Sequence, residues 1–194
     1  MGIASFLFLR LSAKICVLLN LKKHFGTPGS CIPHSQYMKA YLDIETSFRG
    51  EITIVGIFRP PGQMVQLVGD EVNWTNLWNA LEGVATILTY NGSRFDLPVI
   101  KRVIKLDLKK YFECRDLMYD CWQKNLYGGL KRVEEKLGIG RASKGIDGME
   151  AMRLWERFRF YGDGEALQVL LAYNRDDVKN LCRLEACLQE INKT

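Results

Sequence analysis

The chain of 194 residues is poor in the side chains on which many catalytic and metal sites depend. Its two histidines, His24 and His34, both lie near the N-terminus, which excludes most histidine-based catalytic and metal-binding schemes. Its six cysteines include no C-x-x-C pair, so neither a zinc knuckle nor a dithiol redox motif is present. At this density and spacing we interpret the cysteines as reduced thiols, and we expect a cytoplasmic protein.

Residues 1–37 contain no acidic side chain, and their four basic residues account for most of the net charge of +5. The rest of the chain is nearly neutral, so bulk charge is no evidence for nucleic-acid binding. Arg10 and Lys14 interrupt the apolar stretch at 3–21, which excludes a transmembrane helix. We interpret 1–37 as an extension that is not part of the fold, and we expect no membrane contact. A basic amphipathic helix on a membrane or a partner is the alternative.

The remaining chain, 38–194, has the length and composition of one globular domain, with 47% apolar residues overall. Residues 39–45 alternate as a strand does, and Tyr41, Asp43 and Glu45 share the polar face. Short turns join the first three predicted strands, which indicates an antiparallel meander. The predicted strands are 39–45, 51–58, 63–69, 84–90 and 113–118.

Helical periodicity dominates the second half of the chain, with breaks at Gly128-Gly129, at 138–148 and at Gly162. Strands first and helices later predict an α/β protein with a mixed five-stranded sheet flanked by helices. Helices are predicted at 74–81, at 97–104, from about 119 onward and, as one long helix, at 165–190.

A first acidic cluster lies in the first predicted strand. Asp43 and Glu45 are two residues apart, so both carboxylates project from one face near the end of the strand. Carboxylates this close repel each other, and a bound cation keeps both ionised. The structural alternative is a pair of solvent-facing acids on an edge strand.

A second acid, Asp96, follows the predicted buried strand at 84–90 and precedes Leu97-Pro98. An acid in this place is typical of a helix N-cap. Ligands of open sheets also gather outside the carboxyl ends of strands, so Asp96 is equally a candidate ligand.

A third cluster lies inside the long predicted helix. Tyr173 and Asp177 are four residues apart and share the face beside its apolar stripe. An acid there costs desolvation free energy unless it is paired or binds a cation. Asp176 points about 100° away and is expected to be exposed. The alternative for Asp177 is a solvated acid at the edge of an amphipathic helix.

Taken together, the clusters resemble the three motifs of the DEDD-type 3′–5′ exonucleases in the ribonuclease-H-like (DnaQ-like) superfamily. The resemblance covers 40–190 and is closest to the YprB-type ribonuclease-H-like domain. The Y-x-x-x-D spacing of Tyr173 and Asp177 is similar to that of the tyrosine subclass. The matching segments are LDIET (42–46), YNGSRFD (90–96) and YNRDD (173–177).

This resemblance implies hydrolysis of phosphodiester bonds at single-stranded DNA or RNA ends. It implies two divalent ions, and an oxygen-only ligand set suits Mg²⁺ or Mn²⁺. Such ions lie roughly 3.5–4 Å apart, activate water and stabilise the leaving oxygen. Tyr173, a poor base with an ordinary pKa of about 10, is expected to orient the attacking water. The implied metal ligands are Asp43, Glu45, Asp96 and Asp177.

Substrate contacts are less specifically predicted. Lys101 and Arg102 belong to six basic residues within 101–115, which either follow a phosphate backbone or form the solvated face of a helix. Phe95 either stacks on a terminal base or belongs to the core. Asp116 is an auxiliary ligand candidate, with a structural strand-end acid as the alternative. The candidate substrate-binding residues are Asn91, Phe95, Lys101 and Arg102.

Two further functions remain open because a fold does not fix a function. One is an endonuclease or resolvase of the same fold. The other is a catalytically silent module that binds nucleic acid or protein, against which the presence of all four acids counts. The sequence does not predict an oligomeric state.

Overall fold

The computed structural model describes residues 38–143 and 145–191. The predicted N-terminal extension at 1–37 lies outside the described residues. Five strands occur within the described chain, close to the five predicted positions. They are β1 (Met38–Thr46), β2 (Ile52–Arg59), β3 (Gln63–Val68), β4 (Val84–Thr89) and β5 (Glu113–Asp116).

The five strands form one mixed sheet in the order β3-β2-β1-β4-β5. β1, β2 and β3 form the predicted antiparallel meander, and β4 and β5 extend the sheet as parallel strands. β1 is therefore the central strand, and its residue Asp43 pairs with Gly56 of β2. The predicted α/β class and the mixed five-stranded sheet are confirmed.

Within residues 38–143 and 145–191, six α-helices accompany the sheet, and the last of them corresponds to the long helix predicted at 165–190. None of the helices in the described part of the chain combines the length and the hydropathy that a bilayer crossing requires. The helices are α1 (Trp74–Ala80), α2 (Asp96–Val103), α3 (Leu117–Gln123), α4 (Leu130–Leu137), α5 (Gly148–Tyr161) and α6 (Gly164–Ile191).

Apolar side chains pack against both faces of the sheet, and successive residues of β1 join different clusters. Leu42 packs on one face with Leu77 of α1 and with residues of α2. Tyr41 packs on the other face with Leu117 of α3 and Val178 of α6. Burial on both faces stabilises the sheet by roughly 25 cal/mol for each Å² of apolar surface removed from water. The face of Tyr41 also carries the acids of β1, so the strand directs them toward α6.

Most element boundaries lie within one residue of the prediction, and two differences change the role of an acid. The sequence predicts a strand through residue 118, but β5 ends at Asp116, which accepts a hydrogen bond from the Met118 amide (3.2 Å) and caps α3. The sequence also allows Asp96 as a helix N-cap, but Phe95 occupies that position and α2 begins at Asp96 itself. The N-cap interpretation of Asp96 is therefore wrong.

Candidate metal centre

Three carboxylates meet where β1 faces α6. Asp43 and Glu45 extend from β1, and Asp177 extends from α6. One oxygen from each group lies within 4.8 Å of the other two. Glu45 and Asp177 are buried, and Asp43 is half-buried. We refer to these residues as the three-carboxylate group; it unites three of the four predicted metal ligands.

Asp96, the fourth predicted ligand, lies beside this group rather than within it. Its side chain is buried, and its Oδ1 accepts a hydrogen bond from the Ile44 amide at 3.0 Å. Ile44 stands between Asp43 and Glu45 in β1, so the fold brings Asp96 to the same stretch of the central strand. A contact with β1, rather than a helix cap, fixes this carboxylate.

Asn174 holds the carboxylate of Asp43 from the side of α6. Its Nδ2 donates to Asp43 Oδ2 at 3.1 Å, and its Oδ1 accepts from Gln66 Nε2 at 3.0 Å. The approach is close because residue 56, the β2 partner of Asp43, is glycine. A Cβ at Gly56 would lie 2.9 Å from Asn174 Cγ, closer than real contacts allow.

Burial raises the pKa of all four carboxyl groups. For Asp43 and Glu45 burial is the largest cause and the charge of Asp177 the next, and both pKa values lie well above their ordinary range. Burial raises the pKa of Asp96 to about 7 against a backbone hydrogen bond that lowers it. Burial also raises the pKa of Asp177 to about 7, although the charge of Arg141 opposes this. A divalent cation favours the ionised form of each group.

The three-carboxylate group fits a hard divalent cation. All its donors are carboxylate oxygens, the type that Mg²⁺ and Mn²⁺ prefer. Glu45 Oε1 is buried and has no hydrogen-bond partner among the described residues, which costs free energy unless a cation binds there. A cleft of about 290 Å³ reaches Asp43 and Asp177. The group therefore combines the charge, the donor type and the access that such a cation requires.

Tyr173 lies one helical turn before Asp177 and lines the same cleft. Its side chain is buried, and the Lys131 ammonium lies 4.6 Å from the centre of its ring. Burial, followed by the negative charge of Asp177, raises the pKa of Tyr173. Its hydroxyl therefore stays protonated at neutral pH and can donate a hydrogen bond, but it is no general base.

An arginine that the sequence analysis does not single out lies against the acids. Arg141, between α4 and α5, donates from Nη1 to Glu134 Oε2 at 3.0 Å and pairs through Nη2 with Asp177 Oδ1. Its guanidinium carbon also lies 5.6 Å from the centre of the Tyr173 ring. Burial raises the pKa of Glu134, and the charge of Arg141 opposes that rise.

Asp116 organises the turn that leads to Asp96. One carboxylate oxygen accepts from the Asn91 amide at 2.7 Å, and the other accepts from the amide (3.0 Å) and hydroxyl (2.6 Å) of Ser93. Asn91 has a φ of 59°, which asparagine adopts more readily than most residues. These contacts favour the structural interpretation of Asp116 over ligation.

Three of the four candidate substrate-binding residues, Phe95, Lys101 and Arg102, are exposed, and Asn91 is half-buried. Phe95 is 44% exposed, so its alternative assignment to the core is wrong. Lys101 pairs with Asp107 at 2.9 Å, and Arg102 donates to the Gly50 carbonyl oxygen at 3.2 Å. Asn91, the remaining candidate, contributes the turn described above.

Sequence reasoning missed residues whose partners are distant along the chain. Arg141 and Asp177 are 36 positions apart, and no local pattern connects them. Asn174 was predictable from the sequence, because it lies three residues before Asp177 on the same helix and inside the third motif. Asp176, expected to be exposed, is half-buried and accepts from the Ser143 amide at 2.7 Å and its hydroxyl at 2.6 Å.

The chain belongs to the RNase_H superfamily, whose family model matches residues 40–189. The match covers more than half of the chain. It contains the part of the central strand β1 that carries Asp43 and Glu45 and the segment of α6 that carries Asp177.

Among solved structures, the chain is similar to a family B DNA polymerase from the hyperthermophilic archaeon Pyrobaculum calidifontis, with a TM-score of 0.56 and 17% identity. The alignment covers 84% of this chain and 25% of the polymerase chain. At this identity the likeness shows the fold alone. No curated protein matches the chain.

Proposed function

We propose that this protein is a metal-dependent 3′–5′ exonuclease that hydrolyses phosphodiester bonds at single-stranded DNA or RNA ends. The observation that carries the proposal is the meeting of Asp43, Glu45 and Asp177, with Asp96 bonded to the residue between the first two. Membership in the RNase_H superfamily supports nuclease chemistry. The similar fold of a DNA polymerase supports a nucleic-acid substrate.

The four acids would hold two divalent ions, Mg²⁺ or Mn²⁺. When bound, such ions lower the pKa of water and neutralise charge on phosphate oxygens. The protonated Tyr173 hydroxyl orients the attacking water. Asn174 keeps the carboxylate of Asp43 in place, and Asp116 supports the turn that positions Asp96.

The exposed groups around the second motif supply the substrate contacts. Phe95 stacks on the terminal base, and the cationic side chains of Lys101 and Arg102 attract the phosphate backbone. Asn91 shapes the turn between β4 and α2. The described cysteines are free thiols, which supports a cytoplasmic location.

The test is incubation of the purified protein with 3′-labelled single-stranded DNA and RNA, in Mg²⁺, Mn²⁺ or chelator. We expect mononucleotides from the 3′ end in either metal and none in chelator. Asp43→Asn and Asp177→Asn should fold and be inactive. Cleavage of a circular single strand would instead indicate an endonuclease, and absence of both cleavage and cation binding would indicate a silent binding module.

A further inference from the structure

The positively charged side chain of Arg141 contacts the three-carboxylate group. The Arg141 guanidinium pairs with Asp177 and, through its other terminal nitrogen, with Glu134 at 3.0 Å. The Arg141 side chain is 10% exposed and that of Glu134 is 1% exposed. Ion pairs at this depth are screened much less than surface pairs.

Hydrogen bonds connect the segment that carries Arg141 to α6 on both sides of the arginine. The Gly140 carbonyl oxygen accepts from Asn180 Nδ2 at 3.2 Å. Ser143 donates to Asp176 from its amide at 2.7 Å and from its hydroxyl at 2.6 Å. Arg141 is therefore aimed at Asp177 by its backbone, and its position does not depend on the ion pair alone.

A positive charge fixed on one ligand oxygen opposes a second cation in two ways. It occupies Asp177 Oδ1, and it repels a divalent ion held by Asp43 and Glu45. Because Glu134 holds the other end of the guanidinium, Arg141 can release Asp177 without leaving the site.

We propose that Arg141 is a positioning residue that holds Asp177 in place of a divalent cation and thereby lowers the cation affinity of the site. The proposal rests on the proposed function, since it assumes that the three-carboxylate group binds divalent ions. It assigns to Glu134 the role of anchoring the displaced guanidinium.

The test is calorimetric titration of the full chain with MnCl₂, comparing wild type with Arg141→Gln, Arg141→Lys and Arg183→Gln. Arg183 is the matched control, because it is an exposed arginine that donates to the Gly140 carbonyl oxygen (3.4 Å) and pairs with no acid among the described residues. We expect about tenfold tighter Mn²⁺ binding in Arg141→Gln, because a repelling charge is gone. Arg141→Lys, which keeps the charge, should remain near wild type, and Arg183→Gln should not change.

Equal or weaker Mn²⁺ binding by Arg141→Gln would overturn the proposal and leave the proposed nuclease function standing. Absence of Mn²⁺ binding in wild type and in Arg141→Gln alike would overturn both. Binding in Arg141→Gln alone would support the role of Arg141 in its strongest form.

A second measurement uses the wild-type chain in case Arg141→Gln does not fold. The side-chain Nε resonance of Arg141, assigned by its loss in Arg141→Lys, should shift when Mg²⁺ is added, because its partner Asp177 is taken. A resonance that does not move while Mg²⁺ binds would contradict the proposal.

Discussion

The Ile44 amide donates a hydrogen bond of 3.0 Å to the Asp96 carboxylate, which joins the first acidic motif to the second. Ile44 belongs to the central strand, and Asp96 begins α2 after the adjacent parallel strand β4. The bond uses a backbone donor between Asp43 and Glu45, so it fixes Asp96 relative to both. It also satisfies the buried amide of Ile44, which lies beyond Tyr41 and Leu88, the last pair between β1 and β4.

Asp96 variants separate the charge of this carboxylate from its hydrogen bond. Asp96→Asn keeps an acceptor for the Ile44 amide, whereas Asp96→Ala leaves that donor unpaired. We expect Asp96→Ala to lower the free energy of unfolding by about 1–3 kcal/mol, and Asp96→Asn not to lower it, because the Ile44 amide keeps an acceptor and a buried charge is removed. Both should lower the rate of hydrolysis by about a hundredfold or more, because a proposed metal ligand is lost. Denaturant unfolding and the nuclease assay check this; an active Asp96→Asn enzyme would remove the carboxylate from the site.

Asp43→Asn tests whether the acids of the metal-free protein repel one another. The substitution removes one charge from a group in which burial and neighbouring acids raise the pKa of Asp43, while Asn174 keeps a partner. In chelator we expect the free energy of unfolding, measured by thermal unfolding, to rise by about 1 kcal/mol. The stabilisation that we expect Mn²⁺ to give wild type should be absent in Asp43→Asn. The exposed Asp70→Asn is the control and should leave both quantities unchanged; a loss of stability in Asp43→Asn would contradict the repulsion.

Gly56→Ala should disturb the metal site from the opposite strand. Its Cβ would lie 2.9 Å from Asn174 Cγ, and Asn174 is tied to Asp43 and Gln66. We expect a loss of about 1–3 kcal/mol of stability from overpacking, together with weaker Mn²⁺ binding. Gly62→Ala, where an added Cβ meets nothing within 4 Å, is the control. Thermal unfolding and calorimetry measure both effects, and wild-type Mn²⁺ affinity in a destabilised Gly56→Ala would show that Asn174 does not position Asp43.

The sequence predicts the sheet and the long helix well because their signals are local. The alternation along 39–45 corresponds to β1, and the apolar stripe of 165–190 corresponds to α6. The strand and the helix pack against each other because each buries an apolar face in the same cluster. The pairing of Arg141 with Glu134 and Asp177 has no such signal, because an irregular segment carries the arginine. For Asp96, the local preference of acids for N-caps competed with a contact to a distant strand.

Tyr173→Phe tests the role of the phenol hydroxyl. Because burial keeps Tyr173 protonated, its loss removes a hydrogen-bond donor but no base. We expect the rate of hydrolysis to fall by about tenfold to a hundredfold, while Mn²⁺ affinity stays within about twofold of wild type. Tyr127→Phe is the control, because Tyr127 is exposed and, among the described residues, its hydroxyl bonds only to Asn125. An unchanged rate in Tyr173→Phe would remove the tyrosine from the mechanism.

Because the pKa values of Asp96 and Asp177 are raised, the stability of the metal-free protein should decrease as the pH rises. Burial raises both to about 7, whereas the same groups titrate near their ordinary pKa of about 3.9 in the unfolded chain. Between these values the folded protein retains protons that the unfolded chain has lost. The contribution of these two carboxyl groups to the free energy of unfolding is therefore complete below about pH 4 and is lost as the pH rises through about 7. Thermal unfolding in chelator across this range should show the decline.

Divalent cations should reverse this dependence, because on the proposed function they bind the ionised carboxylates. Mn²⁺ must displace the protons that Asp96 and Asp177 retain, so its apparent affinity should rise from about pH 6 to about pH 8. Proton release makes the apparent binding enthalpy depend on the ionisation enthalpy of the buffer, which calorimetry in two buffers at each pH detects. Asp177→Asn should release fewer protons than wild type. Equal affinity at both pH values, with no buffer dependence, would mean that these carboxylates are already ionised in the folded, metal-free protein.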